Sequence, residues 1–235
     1  MGRAFEYRKA SKLKRWGAMS RIFPRLSKEI TLAAKQGSSD PNTNGRLRAA
    51  IQNAKGQNMP KNLIENAIKR ATEKDTKDYV EVIYEGYGPH GVAILVETAT
   101  DNNTRTVANI RSYLNRGGGS LGTSGCLDFI FERKGVFQIK KEGLDQEELE
   151  FELIDFGLSE ISEVDDELYI YTSFADFHKM GKYLEEKGLA VTSAALQRIP
   201  LSTVELTPEQ EEDLDKLIDK IEEDDDVQAV YTNIG

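Results

Sequence analysis

The stretch DTKDYVEVIYEGYGPHGVAILVETATDNNTRT (75–106) is where the chain changes its period. Before it, apolar residues recur every three to four positions. Within it they alternate. Residues 79–84 and 92–98 read as two strands, because Val, Ile and Tyr fall in short runs around a turn-forming EGYGPHG. The TDNNTRT that follows is polar and Asn-rich, and Asn103 or Thr104 is placed to cap a helix over 104–115, with Val107, Ile110 and Leu114 along one side. One local switch therefore divides an all-helical front from a mixed remainder.

Toward the N-terminus the helical pattern is continuous. Pro24 is expected in the first turn of a helix carrying Leu26, Ile30, Ala33 and Ala34 inward and ending at Gly37. GSSDPNTNG (37–45) is a loop. Leu47, Ala50, Ile51 and Ala54 mark a second amphipathic helix, and Pro60 opens a third with Leu63, Ile64, Ala67, Ile68 and Ala71 inward. Alanine at so many inward positions lets helices approach closely.

Beyond residue 106 a glycine-rich RGGGSLGTSG (116–125) precedes an expected strand at 127–131. A self-contained run follows. A strand at 135–140 leads to a helix opened by Asp145 and Glu148. Short strands near 158–164 and 168–172 lead to a helix introduced by Ser173, and a strand spans 191–199. The order β-α-β-β-α-β is that of the split βαβ unit in ferredoxin-like folds. Thr207, Pro208 and Gln210 start a last helix, and 227–231 is a last strand. A lone helix and strand cannot bury their own apolar faces, so they are expected to complete the sheet begun at 79. The expected fold class is α+β in three domains, one all-helical and basic and two ferredoxin-like α/β, one of these inserted in the other. These are a basic helical domain at 1–76, a discontinuous α/β domain at 77–132 and 206–235, and an inserted ferredoxin-like domain at 133–205.

Charge follows the same division. The 235-residue chain has a formal charge of −9, yet residues 1–76 carry +11 and the remainder −20. The densest part, YRKASKLKRWGAMSRIFPRLSK (7–28), has eight Lys or Arg and no acid. Such a front can sit against a polyanion that would repel the rest; the plainer reading is a solvated helical face. A single cysteine, Cys126, excludes an internal disulfide framework, and two histidines leave little for a zinc site. No apolar run is long enough to span a bilayer.

Two catalytic-looking motifs fail on context. GYGPHG fits G-x-G-x-x-G, but a strand follows it where a dinucleotide fingerprint needs a helix. GGSLG fits G-x-S-x-G, but it lies between helix and strand, the reverse of a nucleophile elbow. The glycine-rich loop is either a mobile connector or a phosphate cradle near Arg111 and Arg116. TDNNTRT is either helix capping or an RNA contact. No catalytic residue, metal ligand or cofactor is assigned.

The segments IFPRLSKEITLAAKQGSSDP, NMPKNLIENAIKRAT, YEGYGPHGVAILVETATDNNTRT, GGSLGTSG and FERKGVF occur in this order, and through them the whole chain resembles the YebC/PmpR-like family. Its mitochondrial relatives include the translational activator of cytochrome oxidase subunit one. The resemblance implies a basic helical domain and two α/β domains, one inserted in the other. It also implies a non-enzymatic, DNA-binding regulator of transcription, with some members acting as translation factors on stalled ribosomes. The opening departs from the family's usual GHSKW and KHRK stretches, reading MGRAFEYRKASKLKRWGAMSR instead. With family motifs starting near residue 1, the expectation is a bacterial cytoplasmic protein without a transit peptide.

The expected nucleic-acid contacts are Arg8, Lys9, Lys12, Lys14, Arg15, Arg21, Arg25 and Lys28 on phosphates, with Lys61, Lys69 and Arg70 on the polar side of the third helix. Trp16 either stacks on an unpaired base or anchors the helix. The expected partner is DNA, or else ribosomal RNA on the ribosome. The acidic α/β domains contact protein or hold the basic part at a set angle.

Overall fold

The computed structural model describes residues 19–72, 78–164 and 166–235, the first three as backbone only. Arg8, Lys9, Lys12, Lys14, Arg15 and Trp16 lie outside them. The described part is α+β, with seven helices and two four-stranded sheets. By compactness it forms two units, one of residues 22–72 with 133–197 and one of 78–132 with 198–235.

The first of these units opens with three helices, α1 (Met19–Gln36), α2 (Gly45–Gly56) and α3 (Lys61–Thr72). Pro24 lies inside α1 and does not begin a helix. A proline costs one backbone hydrogen bond; here the apolar stripe of Phe23, Leu26, Ile30, Ala33 and Ala34 runs past it, and its packing holds the helix continuous. Ile30, Leu47, Ala50, Ala54, Ile64 and Ala67 form the core. The buried Thr31 hydroxyl lies 3.0 Å from the Ala67 carbonyl, which ties α1 to α3. Asn44 caps α2 by accepting from the Leu47 N–H at 3.1 Å and donates to the Ala33 carbonyl at 2.7 Å.

The same unit holds α5 (Gln146–Ile154), β5 (Leu158–Val164), β6 (Glu167–Ser173) and α6 (Phe177–Glu186), with all but the first two residues of β4 (Phe131–Lys140) and all but the last three of β7 (Val191–Pro200). Its sheet order β5-β6-β4-β7 is that of the ferredoxin-like fold. Phe137, Ile139, Leu149, Leu153, Ile170, Met180 and Leu184 fill the space between sheet and helices. The Asp145 carboxylate accepts from the Glu147 and Glu148 N–H groups and starts α5. Ser173 acts one step before α6, accepting from the Asp176 N–H at 3.1 Å; Asp176 is the N-cap residue.

The second unit has β1 (Val80–Tyr87), β2 (Ala93–Thr100), α4 (Asn103–Arg116), β3 (Ser120–Leu121), α7 (Pro208–Glu222) and β8 (Val227–Thr232). Its antiparallel order is β3-β1-β2-β8, with the β1–β2 hairpin at the centre. The four-strand, two-helix layering of the inserted run recurs here through a different strand order. Val92, Ile94, Val96, Ile110, Leu114, Leu214, Ile218 and Ile221 make the core beneath the helices. The hairpin turn is a short 3-10 turn, Pro89–Gly91, with His90 at φ 59°. Gly88 and Gly91 thus serve a tight turn, while Gly86 lies inside β1, where a β-carbon would stand 2.4 Å from the Ser120 carbonyl oxygen. Thr207 and Gln210 form a complete capping box on α7.

One expected strand is absent. Residues 127–130 form turns, and the strand begins at Phe131. The Ile130 N–H donates to the Leu127 carbonyl at 2.9 Å. The physical reason was in the spacing: Leu127, Ile130 and Phe131 all point into one cluster against Ala93 and Leu95, at helical and not alternating intervals.

Candidate nucleic-acid interface

Residues 19–72 contain ten Lys or Arg against three acids, Glu29, Asp40 and Glu65. Arg21, Arg25 and Lys28 recur along α1; Arg25 and Lys28 are half-buried and each has a partner within the protein. Lys61, Lys69 and Arg70 are exposed on α3. Lys61 and Lys69 lie with Glu65 along one helical stripe, and Lys61 pairs with Glu65 at 3.6 Å. Lys69 and Arg70 sit in the last turn, where cations also favour the helix dipole.

Sequence reasoning left out α2. It has Arg46, Arg48 and Lys55 and no acid. Arg46 donates to Gln36, and Arg48 spans the Pro41 and Asn42 carbonyls and Glu185 at 3.1–3.2 Å. Lys55 is exposed. The available signal was the absence of acids over 45–56.

The polar TDNNTRT stretch is consumed internally. Asn102, one residue before the expected caps, accepts from the Arg105 N–H at 3.1 Å. The Asp226 carboxylate, buried in the turn just before β8, collects the Thr100 and Thr106 hydroxyls at 3.1 and 2.8 Å and Arg105 at 2.6 Å. Hydrogen bonding to Asp226, and then to Asp101, raises the Arg105 pKa above its ordinary value. Asp224 similarly receives Asn109 at 2.9 Å and Tyr113 at 3.2 Å. Burial, followed by the Asp224 charge, pushes the Tyr113 phenol up. These side chains fasten α4 to the turn before β8.

The glycine-rich loop is pinned as well. Gly117, Gly118 and Gly119 donate to carbonyls of the last turn of α4, and Gly122 donates to the Glu85 carbonyl at 2.8 Å. The buried Glu85 carboxylate takes the remaining glycine, Gly125, at 2.9 Å and Leu127 at 2.7 Å. All five glycine N–H groups are thus bonded to the chain, and the anion the loop holds is its own Glu85. A β-carbon on Gly119 would stand 2.1 Å from the Tyr87 carbonyl oxygen, so glycine permits the close approach to β1. Ser120 lies in β3, hydrogen-bonded opposite Tyr87, and not on a strand-to-helix turn. Burial and then the Glu85 charge push the Cys126 thiol above its usual range.

The two antiparallel sheets and seven helices define an α+β class, with neither a dinucleotide turn nor a nucleophile elbow among the described residues. Residues 3–74 match the family model of the TACO1/YebC protein N-terminal domain, and residues 79–234 match that of the TACO1/YebC second and third domain. The first match covers the divergent opening. A "probable transcriptional regulatory protein" of Parabacteroides distasonis is 59% identical over the whole chain and 97% of its own length. Relatives of the same name in Flavobacterium johnsoniae and Sulfurimonas denitrificans are 55% and 53% identical, covering 98% and 100% of this chain and the same shares of their own. The crystal structure of a conserved hypothetical protein from Aquifex aeolicus superposes with a TM-score of 0.82 at 37% identity, over 93% of this chain and 91% of that one. The chain belongs to the TACO1/YebC family.

Proposed function

We propose that this protein is a non-enzymatic, DNA-binding regulator of transcription that grips the phosphate backbone with its basic helices. The observation that carries the reading is the charge division: +11 over residues 1–76 in a chain of −9. Arg21, Arg25, Lys28, Lys61, Lys69 and Arg70 on α1 and α3, with Arg8, Lys9, Lys12, Lys14 and Arg15 ahead of them, supply affinity through counterion release. Trp16 adds stacking on an unpaired base. The relatives' name as probable transcriptional regulators points the same way. Among the described residues no helix is long and apolar enough to cross a membrane. For a bacterial regulator of transcription the site of action is the cytoplasm, where the DNA lies.

One observation favours a second reading, a translation factor on ribosomal RNA. The sequence shows no zinc-finger spacing and no RRM aromatic motif beside its basic helices, and phosphate contacts without base contacts suit structured RNA as well as DNA. The three-domain division at 1–76, 77–132 with 206–235, and 133–205 assigns nucleic-acid binding to the first domain and protein contact to the acidic others.

Titration of labelled promoter duplex and of ribosomal RNA fragments over a range of salt tests both. Log K should fall with log salt by about 0.9 per phosphate on duplex DNA and about 0.7 on single strands. A flat salt dependence on both polymers overturns the proposal. Tight binding to the RNA alone replaces the first reading with the second.

A further inference from the structure

The unit built on β1, β2, β3 and β8 is strongly acidic, yet α4 on its surface is not. Its sequence, NTRTVANIRSYLNR, contains three arginines and no acid. Its neighbour α7, PEQEEDLDKLIDKIE, contains seven acids and two lysines. The described residues of this unit hold six Lys or Arg. Four are neutralised at short range: Arg105 by Asp101 and Asp226, Arg198 by Glu97, Lys216 by Glu212 and Lys220 by Glu223. The other two, Arg111 and Arg116, are exposed and have no ion pair among the described residues.

Their placement is specific. Five residues apart, they lie roughly 140° apart round the helix and roughly 7.5 Å apart along it. Between them the outer face presents Ala108, Ser112 and Asn115, and a turn further back come Thr104 and Arg105, the latter held by Asp101 and Asp226. Ala108, Ser112 and Asn115 are no longer than asparagine, so a polymer backbone can come close beside the two guanidiniums. The inner and side residues Thr106, Asn109 and Tyr113 are bound to Asp226 and Asp224, which fixes the helix's rotation and keeps the arginines outward. Those acids mark the edge of the face.

We infer that the outer face of α4, through Arg111 and Arg116, is a second contact surface for the phosphate backbone of duplex DNA, in the part of the chain that charge alone would exclude. Charge complementarity selects the occupant. A polyanion gains from two unpaired arginines with no acid between them, and the guanidinium fork matches phosphate oxygens. The inference rests on the DNA-binding reading above and extends it to a unit assigned there only to protein contact.

The test compares three full-length proteins on the same labelled duplex, with a fourth, altered at Arg25 and Lys28, as the check on the basic helices. Arg111→Gln with Arg116→Gln should weaken binding about tenfold near 0.1 M salt and reduce the salt slope by about two. Lys216→Gln with Lys220→Gln removes equal charge from the same unit at ion-paired positions and should leave both unchanged. All three should melt together, since the four side chains are exposed. Equal weakening by both pairs would show a general charge effect and overturn the surface. An arginine pair without effect, while Arg25→Gln with Lys28→Gln still weakens binding, overturns this inference and leaves the DNA-binding reading standing. A wild-type protein that ignores the duplex overturns both. A loss seen on RNA but not on duplex DNA overturns the occupant named.

Discussion

The Asn53 side chain and the Ala194 backbone form a closed pair: Asn53 Nδ2 donates to the Ala194 carbonyl and the Ala194 N–H donates to Asn53 Oδ1, both at 2.8 Å. Ala194 lies on β7, the last strand of the order β5-β6-β4-β7, and Asn53 lies on α2. A helix side chain therefore does for β7 what a neighbouring strand would do, and it covers an edge otherwise open to pairing with another chain. Gly56, one turn on, lies so close that a β-carbon would stand 2.3 Å from the Thr192 carbonyl oxygen.

Asn53→Ala is expected to cost about 1–2 kcal/mol, the worth of two lost hydrogen bonds partly replaced by water. Urea denaturation measures the cost, and amide exchange at Ala194 should quicken. Asn53→Asp keeps the acceptor but sets a carboxylate oxygen against the Ala194 carbonyl, and should cost at least as much as alanine. Unchanged stability in the alanine variant would mean the pair contributes nothing to holding α2 on β7.

Glu85→Gln removes one acceptor oxygen and leaves the Gly125 or Leu127 N–H facing an amide. The expected loss is about 1–3 kcal/mol, with faster exchange confined to residues 122–127. Cys126 supplies a second readout. The Glu85 charge is a secondary cause, after burial, of its raised thiol pKa, so the variant should hold more thiolate at pH 8 and alkylate faster. Identical alkylation rates would show that the carboxylate does not govern the loop.

Asp226→Ala strips the common acceptor from Thr100, Thr106 and Arg105. Thr100 and Thr106 are buried, and leaving their hydroxyls to each other should cost about 3 kcal/mol. Thr106→Val removes one member only and should cost about 1 kcal/mol. If the two cost the same, Asp226 is not the hub. Calorimetric melting of the two variants and their double mutant measures the coupling.

Elements whose cause is local were legible from residues alone. The strand alternation at 79–84, the T-P-x-Q start of α7 and the β-α-β-β-α-β order each depend on near neighbours, and each is found, although β1 runs on through Glu85, Gly86 and Tyr87, which read as part of the turn. Local inference failed where packing outweighed a nearby preference. Pro24 suggested a helix start, but the apolar face of α1 continues through it. Leu127, Ile130 and Phe131 were read as a strand, although their spacing suits a turn packed against β2. Of the candidate contacts, Arg25, Lys28, Lys61, Lys69 and Arg70 were legible as cations on helices. Which of them already have partners was not.

By itself the sequence determined the charge division, the succession of helices and strands, and the failure of its two catalytic-looking motifs, since these depend on composition and on residues a few positions apart. Only the tertiary structure decided where the polar groups spend their hydrogen bonds. Glu85 reaches the glycine loop across about forty residues, Asp226 reaches α4 across more than a hundred, and Asn53 reaches β7 across 141. A hydrogen bond forms only after packing has brought its two ends together, and no periodicity records which distant partner that will be.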